Sequence, residues 1–150
     1  MTRLRLTDLL TRVALAVIGA LSVYVALDSA LGGTATLGFQ IKGTFLVATD
    51  PQAYAVRDSH VRFLGAVWGG IGVVFLAGAI WTDQLRDTLL IACGLGLLGG
   101  LARFSAMGPG ELVKAGLGIS LAIELIVLPL LAASIWWRGP VGGRDAVAGG

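Results

Sequence analysis

The sequence predicts an all-α integral membrane protein: a four-helix bundle with both termini in the cytoplasm and one long external loop between helices one and two. Three observations carry this reading. Of 150 residues, 56% are hydrophobic and only 13% charged, with a mean hydropathy of +0.87. A soluble domain carries about a quarter charged residues, so the charge is too sparse for a water-facing surface, and the hydrophobicity excludes disorder. The apolar residues fall into four windows, each near the ~20 residues a helix needs to cross a ~30 Å hydrocarbon core. Charged residues bracket those windows, and the length suits one domain.

The first window covers 9–27, with Arg12 in its first turn and Asp28 just after it. Its basic start and short apolar run also fit a secretory signal, but Asp28-Ser29-Ala30 makes a poor cleavage site, so a retained helix is the better reading. The second window covers 61–81, between Arg57 and Asp83, with Asp58 or Ser59 as the expected helix N-cap. The third covers 88–107, between Asp87 and Glu111, and the fourth 115–137, between Lys114 and Arg138. All four are continuously apolar and lack the alternation of barrel strands. A single transmembrane domain over 1–138 follows, with a flexible Gly-rich tail over 139–150. In the external loop, from Asp28 to His60, the alternation of Leu37, Phe39 and Ile41 and the Lys42-Gly43 step read equally well as a short hairpin or an irregular loop.

Orientation comes from the basic residues. Arg3, Arg5 and Arg12 precede span one, Arg86 lies between spans two and three, and Arg138 and Arg144 follow span four; Lys42, Arg57 and Lys114 lie on the other side. Positive-inside logic places both termini in the cytoplasm. Trp81, Trp136 and Trp137 fall at that same boundary, where indole rings settle, and Trp68 alone lies well inside a span.

Several chemistries are excluded at this stage. One cysteine, Cys93, cannot form an intrachain disulfide framework or a cysteine-based zinc site, and its apolar neighbours make it an inert buried thiol. One histidine cannot supply two axial haem ligands. No phosphate-binding glycine loop is present, and a net charge of +2 without a basic run gives nothing to grip nucleic acid. Asp58-Ser59-His60 holds triad residue types, but neighbours in sequence point in different directions on a helix. No catalytic residue, metal ligand or cofactor is therefore assigned.

What remains unusual is charge inside the spans. An ionisable side chain at the bilayer centre costs about 2.5–3.5 kcal/mol on insertion scales and needs a partner or a purpose. Arg62 in span two, Arg103 in span three and Glu124 in span four qualify. Counted from the external side, Arg103 is about 7 Å deep and Glu124 about 15 Å. Arg62 shares a face with Gly65 and Gly69, and Arg103 with Gly96 and Gly100, both GxxxG patterns that let helices approach closely. These glycines read as packing positions. Asp58 stands at i,i+4 to Arg62, and Ser120 one turn from Glu124. The expected site is a buried polar group of Arg62, Arg103 and Glu124 in the outer half of the bundle, with Asp58 and His60 at its rim. A structural clamp and a ligand, ion or proton role remain equal readings of it. Pro129 is expected to kink span four one turn past Glu124.

The stretch Asp58-Ser-His-Val-Arg62-Phe-Leu-Gly65-Ala-Val-Trp-Gly69-Gly70 resembles the signature of an uncharacterised family of small bacterial four-helix membrane proteins in the DoxX/DoxD-like group. Gly99-Gly100-Leu-Ala-Arg103, and Glu124-Leu followed by Pro129-Leu130, resemble two further pieces of it. The resemblance implies a four-helix bundle and singles out Arg62, Arg103 and Glu124; it implies no function.

Three functions are then in play. The first is a non-enzymatic accessory or small-lipophile-binding protein of the bacterial inner membrane. Its partners would be membrane lipid, a lipophilic ligand or another membrane protein. The second is a small proton- or ion-coupled transporter using Glu124. No inverted repeat is visible, so it would gain symmetry as a homo-oligomer. The third is a membrane enzyme acting on a lipid or quinone, with His60 and Glu124 as acid and base, disfavoured because no nucleophile or metal constellation accompanies them.

Overall fold

Apolar windows fix where helices cross a membrane, while caps fix where they begin and end. In this protein the caps carry two helices well past their windows. A computed structural model describes residues 2–35 and 49–138, with side chains from Leu6 onward. The hairpin reading of the external loop and the Gly-rich tail lie outside the described residues. Those described are all-α.

Helix α1 runs Thr2–Gly32 and closes in a 3₁₀ turn, Gly33–Ala35, so Asp28 lies inside it rather than at its end. Helix α2 runs Pro51–Ile80. This corrects the expected start: Asp58 and Ser59 are interior, not caps. Asp50 is the residue whose carboxylate Oδ1 accepts from the Gln52 and Ala53 amides at 2.9 and 3.4 Å, and Pro51 fits the first turn because its missing N–H would have no partner there. Helix α3 spans Arg86–Ala102 and ends in a 3₁₀ turn, Arg103–Ser105.

Span four starts at Gly118 rather than at 115, because the residues just before it form the turn that closes a separate short helix. Helix α4, Pro109–Lys114, opens with Pro109, and Glu111 Oε2 accepts from the Gly108 amide at 3.2 Å. It closes on Gly116 at φ 82°, with the Gly116 amide on the Val113 carbonyl and the Leu117 amide on the Leu112 carbonyl, both at 3.0 Å. That is a Schellman ending, and the left-handed residue has to be glycine-like. Span four then comprises α5, Gly118–Ala122, a π turn, Ile123–Val127, and α6, Leu128–Trp136. The π turn answers the demand made by Pro129. In a regular α-helix its ring would strike the Leu125 carbonyl and one ladder bond would be lost. Widening the preceding turn, with the Leu128 amide bonded to the Ile123 carbonyl, removes that conflict.

Four segments are long and apolar enough to cross a membrane: Leu6–Ala35, Pro51–Ile80, Arg86–Ser105 and Gly118–Trp136. At most 28% of any of their apolar windows is buried. Leu9, Val13, Ile91, Leu98 and Leu130 are each more than half exposed or at half exposure. Apolar surface on this scale needs lipid or a partner to cover it, the pattern of a multi-pass membrane protein.

The chain divides into two compact units. Unit 2, Val17–Val73, pairs the second half of α1 with the first part of α2, and glycines set the spacing. A Cβ on Gly65 would lie 2.9 Å from both the Ala30 amide nitrogen and Ser29 Cβ; one on Gly72 would lie 2.9 Å from the Val23 nitrogen; one on Gly69 would lie 3.2 Å from Ala26 Cβ. Backbones this close admit no side chain. Unit 1 comprises Met1–Ala16 and Val74–Gly150, and parts of all four spans meet in it. Leu15, Phe75, Leu89, Cys93, Leu128 and Ile135 form its buried core. Gly78 stands where a Cβ would come within 2.4 Å of Leu89, and Thr11 and Ser134 hydroxyls meet at 3.3 Å.

Candidate functional site: the Arg103–Glu124 pair

A helix ends with carbonyl groups that have no partner of their own, and in a membrane those groups cannot rely on bulk water. Arginines meet this need here. In unit 2, Arg62 Nε bonds Asp58 Oδ2 at 2.6 Å, one turn back on α2, while its Nη1 donates to the Ala30 and Leu31 carbonyls at the end of α1, at 3.2 and 2.5 Å. In unit 1 the device recurs with the helices exchanged. Arg12 Nε bonds Asp8 Oδ2 at 3.2 Å, one turn back on α1, and its Nη1 donates to the Ala79 and Ile80 carbonyls at the end of α2, at 3.2 and 2.8 Å. Arg86, opening α3, donates to the Trp136 carbonyl at 3.2 Å, and Arg138 donates to Asp8 Oδ1 and to the Thr7 and Asp8 carbonyls. Removing one such donor costs about 1 kcal/mol. Arg12→Met is therefore expected to lower the apparent Tm by a few degrees in a thermal melt in nanodiscs; an unchanged Tm would show that water serves those carbonyls equally well.

Among the described ion pairs, the one between Arg103 and Glu124 is different. Arg103, at the turn that ends α3, meets Glu124, inside the π turn of span four, through two parallel bonds: Nε to Oε2 and Nη2 to Oε1, each 2.8 Å. Planar guanidinium and carboxylate meeting in this two-pronged way form one of the stronger charge-assisted contacts. The Glu124 side chain is 9% exposed and that of Arg103 33%. No helix carbonyl accepts from Arg103 among its described contacts, so capping does not account for it. Gly100 makes the approach possible, since a Cβ there would come within 2.8 Å of Glu124 Cβ. π turns occur often at functional sites, and this one carries the buried carboxylate.

Of the residues the sequence singles out, the structure brings Arg103 to Glu124 and Arg62 to Asp58, each pair in its own unit. Asp58 Oδ1 also accepts from the Thr34 amide and hydroxyl at 2.8 and 3.0 Å, an arrangement allowed by Gly33 at φ 60°. His60 is exposed, and its Nδ1 donates to the Val56 carbonyl at 2.7 Å, one turn back, a purely local bond. Gly96 and Gly100 are buried on α3. Among the described residues no three of His, Cys, Asp and Glu converge to hold a metal ion. The roles of Asp8, Arg12, Arg86 and Arg138 were not visible to sequence reasoning, which read the arginines only as topology signals. The repeated Asp-x-x-x-Arg spacing of Asp8–Arg12 and Asp58–Arg62 was the available clue.

A helical protein with four segments long and apolar enough to cross a membrane, and an arginine–glutamate pair with a buried carboxylate between the third and fourth of them, is the class that the described residues define. Residues 10–137 match the family model described as Domain of unknown function (DUF4345). The match covers most of the chain, and the chain belongs to that family. No curated protein and no solved structure matches it.

Proposed function

We propose that this protein is a non-enzymatic membrane protein that holds a small lipophile or a partner subunit at the Arg103–Glu124 pair. One observation carries the reading: this is the described ion pair with a buried carboxylate and an arginine not engaged in closing a helix. Arg103 is partly exposed, so an acidic or strongly accepting group on a ligand could share or replace its bond to Glu124. The motif resemblance supports a DoxX-like protein of the bacterial inner membrane, and the basic residues support cytoplasmic termini, which sets the pair in the outer half of the bilayer.

The test is purification of the full chain in lipid nanodiscs followed by mass spectrometry of everything that co-elutes. A stoichiometric lipophile or partner present with the wild type and lost from Arg103→Gln is the expected result. A wild type that elutes empty overturns the reading. A second reading, a proton- or ion-coupled transporter, draws on the position of Glu124 within the π turn. It requires Glu124→Gln to abolish coupled flux in liposomes while the protein stays folded; persistent flux would exclude it.

A further inference from the structure

A second feature lies in unit 1, between α3 and α6. Leu90, Ala132, Ala133, Trp136 and Trp137 line an apolar depression of about 340 Å³, at the lower end of the ~300–1,000 Å³ usual for small-molecule sites. The two alanines leave its floor open. Trp137 is 91% exposed and Trp136 64%, at the end of a span where indoles mark the depth of lipid headgroups. In a bilayer such a surface faces lipid, and the charges beside it discriminate between lipids.

The Arg86 guanidinium lies 5.1 Å from the centre of the Trp136 ring, so the cation borders the depression through one of its walls. Arg86 Nη1 bonds Asp87 Oδ1 at 3.0 Å. The Asp87 side chain is nonetheless 87% exposed, which leaves most of its carboxylate free to accept more. Arg86 Nε is buried without a hydrogen-bond partner. A cation and the exposed carboxylate bonded to it thus stand beside an apolar cleft. A purely anionic headgroup would meet the exposed Asp87 carboxylate, whereas a headgroup with both a phosphate and a primary ammonium matches both signs.

We propose that the Leu90–Trp137 depression and the Arg86/Asp87 rim form a site for a zwitterionic aminophospholipid, its acyl chain in the cleft, its phosphate toward Arg86 and its ammonium toward Asp87. This inference does not depend on the role of the Arg103–Glu124 pair.

The experiment uses the full chain in nanodiscs of equimolar phosphatidylethanolamine, phosphatidylcholine and phosphatidylglycerol, with native mass spectrometry of the lipids that stay bound. Phosphatidylcholine has the same net charge but no N–H donor, and phosphatidylglycerol supplies the anionic alternative. The wild type is expected to retain phosphatidylethanolamine over phosphatidylcholine by about fivefold, equivalent to about 1 kcal/mol. Asp87→Asn is expected to remove that preference, and Ala133→Phe, which fills the cleft from its exposed side, to reduce retention of all three lipids. Equal retention of the three by the wild type, or a preference for phosphatidylglycerol, overturns the proposal without reference to any variant. A preference that survives Asp87→Asn in a folded protein also overturns it.

Discussion

Glu124→Ala is expected to lower stability by about 3 kcal/mol, one of the two largest effects of any single change. The variant removes both charge-assisted bonds from Arg103 and leaves a partly buried cation without its partner. Breaking a fully buried pair costs about 3–5 kcal/mol; the partial exposure of Arg103 places this one at the low end. Glu124→Gln keeps the volume and one acceptor, so its loss should be smaller. Thermal unfolding in nanodiscs, followed by circular dichroism, reads both. A loss below about 1 kcal/mol for Glu124→Ala would mean that Arg103 finds water or lipid phosphate once its partner is gone, as an exposed pair would.

Gly65→Leu is expected to match or exceed that loss, through packing rather than charge. A Cβ at this position meets the Ala30 amide nitrogen and Ser29 Cβ, each at 2.9 Å. Backbone atoms cannot swing aside as a side chain can, so α1 and α2 must separate. Overpacking costs typically ~1–3 kcal/mol and more where the neighbour is rigid. Separation here would also carry the Ala30 and Leu31 carbonyls away from Arg62. Gly70→Leu is the matched control: a Cβ at Gly70 has nothing within 4 Å, and its effect should stay within about 0.5 kcal/mol. Equal melting temperatures for the two variants would contradict the observed helix approach.

These two predictions mark the border between what the sequence reveals and what it hides. The four spans are legible because hydropathy summed over about 20 residues is a strong local signal. Their ends are harder. Arg57, Asp58 and Arg62 look like the edge of a membrane segment, yet α2 runs on through them to Asp50 and Pro51, because charged residues near a helix end cost little when they face a polar neighbour. Helix α4 left clear signs in Pro109, Glu111 and Gly116, but at 6 residues it is too short to register against a window of span length. The π turn is encoded only indirectly: Pro129 requires some adjustment before it, and nothing local says whether that will be a kink or a widened turn.

The polar residues divide in the same way. The i,i+4 spacings of Asp8–Arg12 and Asp58–Arg62 can be read by counting. That each arginine also caps the other helix depends on α1 and α2 being antiparallel neighbours, which is tertiary information. The cost of charge in lipid singles out Arg103 and Glu124, and their two-pronged meeting follows only once Gly100 lets span four approach.

The most direct measurement is a double-mutant cycle on Arg103 and Glu124, using Arg103→Ala, Glu124→Ala and the double variant, each unfolded thermally in the same nanodiscs. The paired geometry predicts a coupling free energy of about 1–3 kcal/mol, with the double variant losing far less than the sum of the two singles. Losses that add to within about 0.5 kcal/mol would show that the two residues act independently, and would contradict the pair on which the functional reading rests.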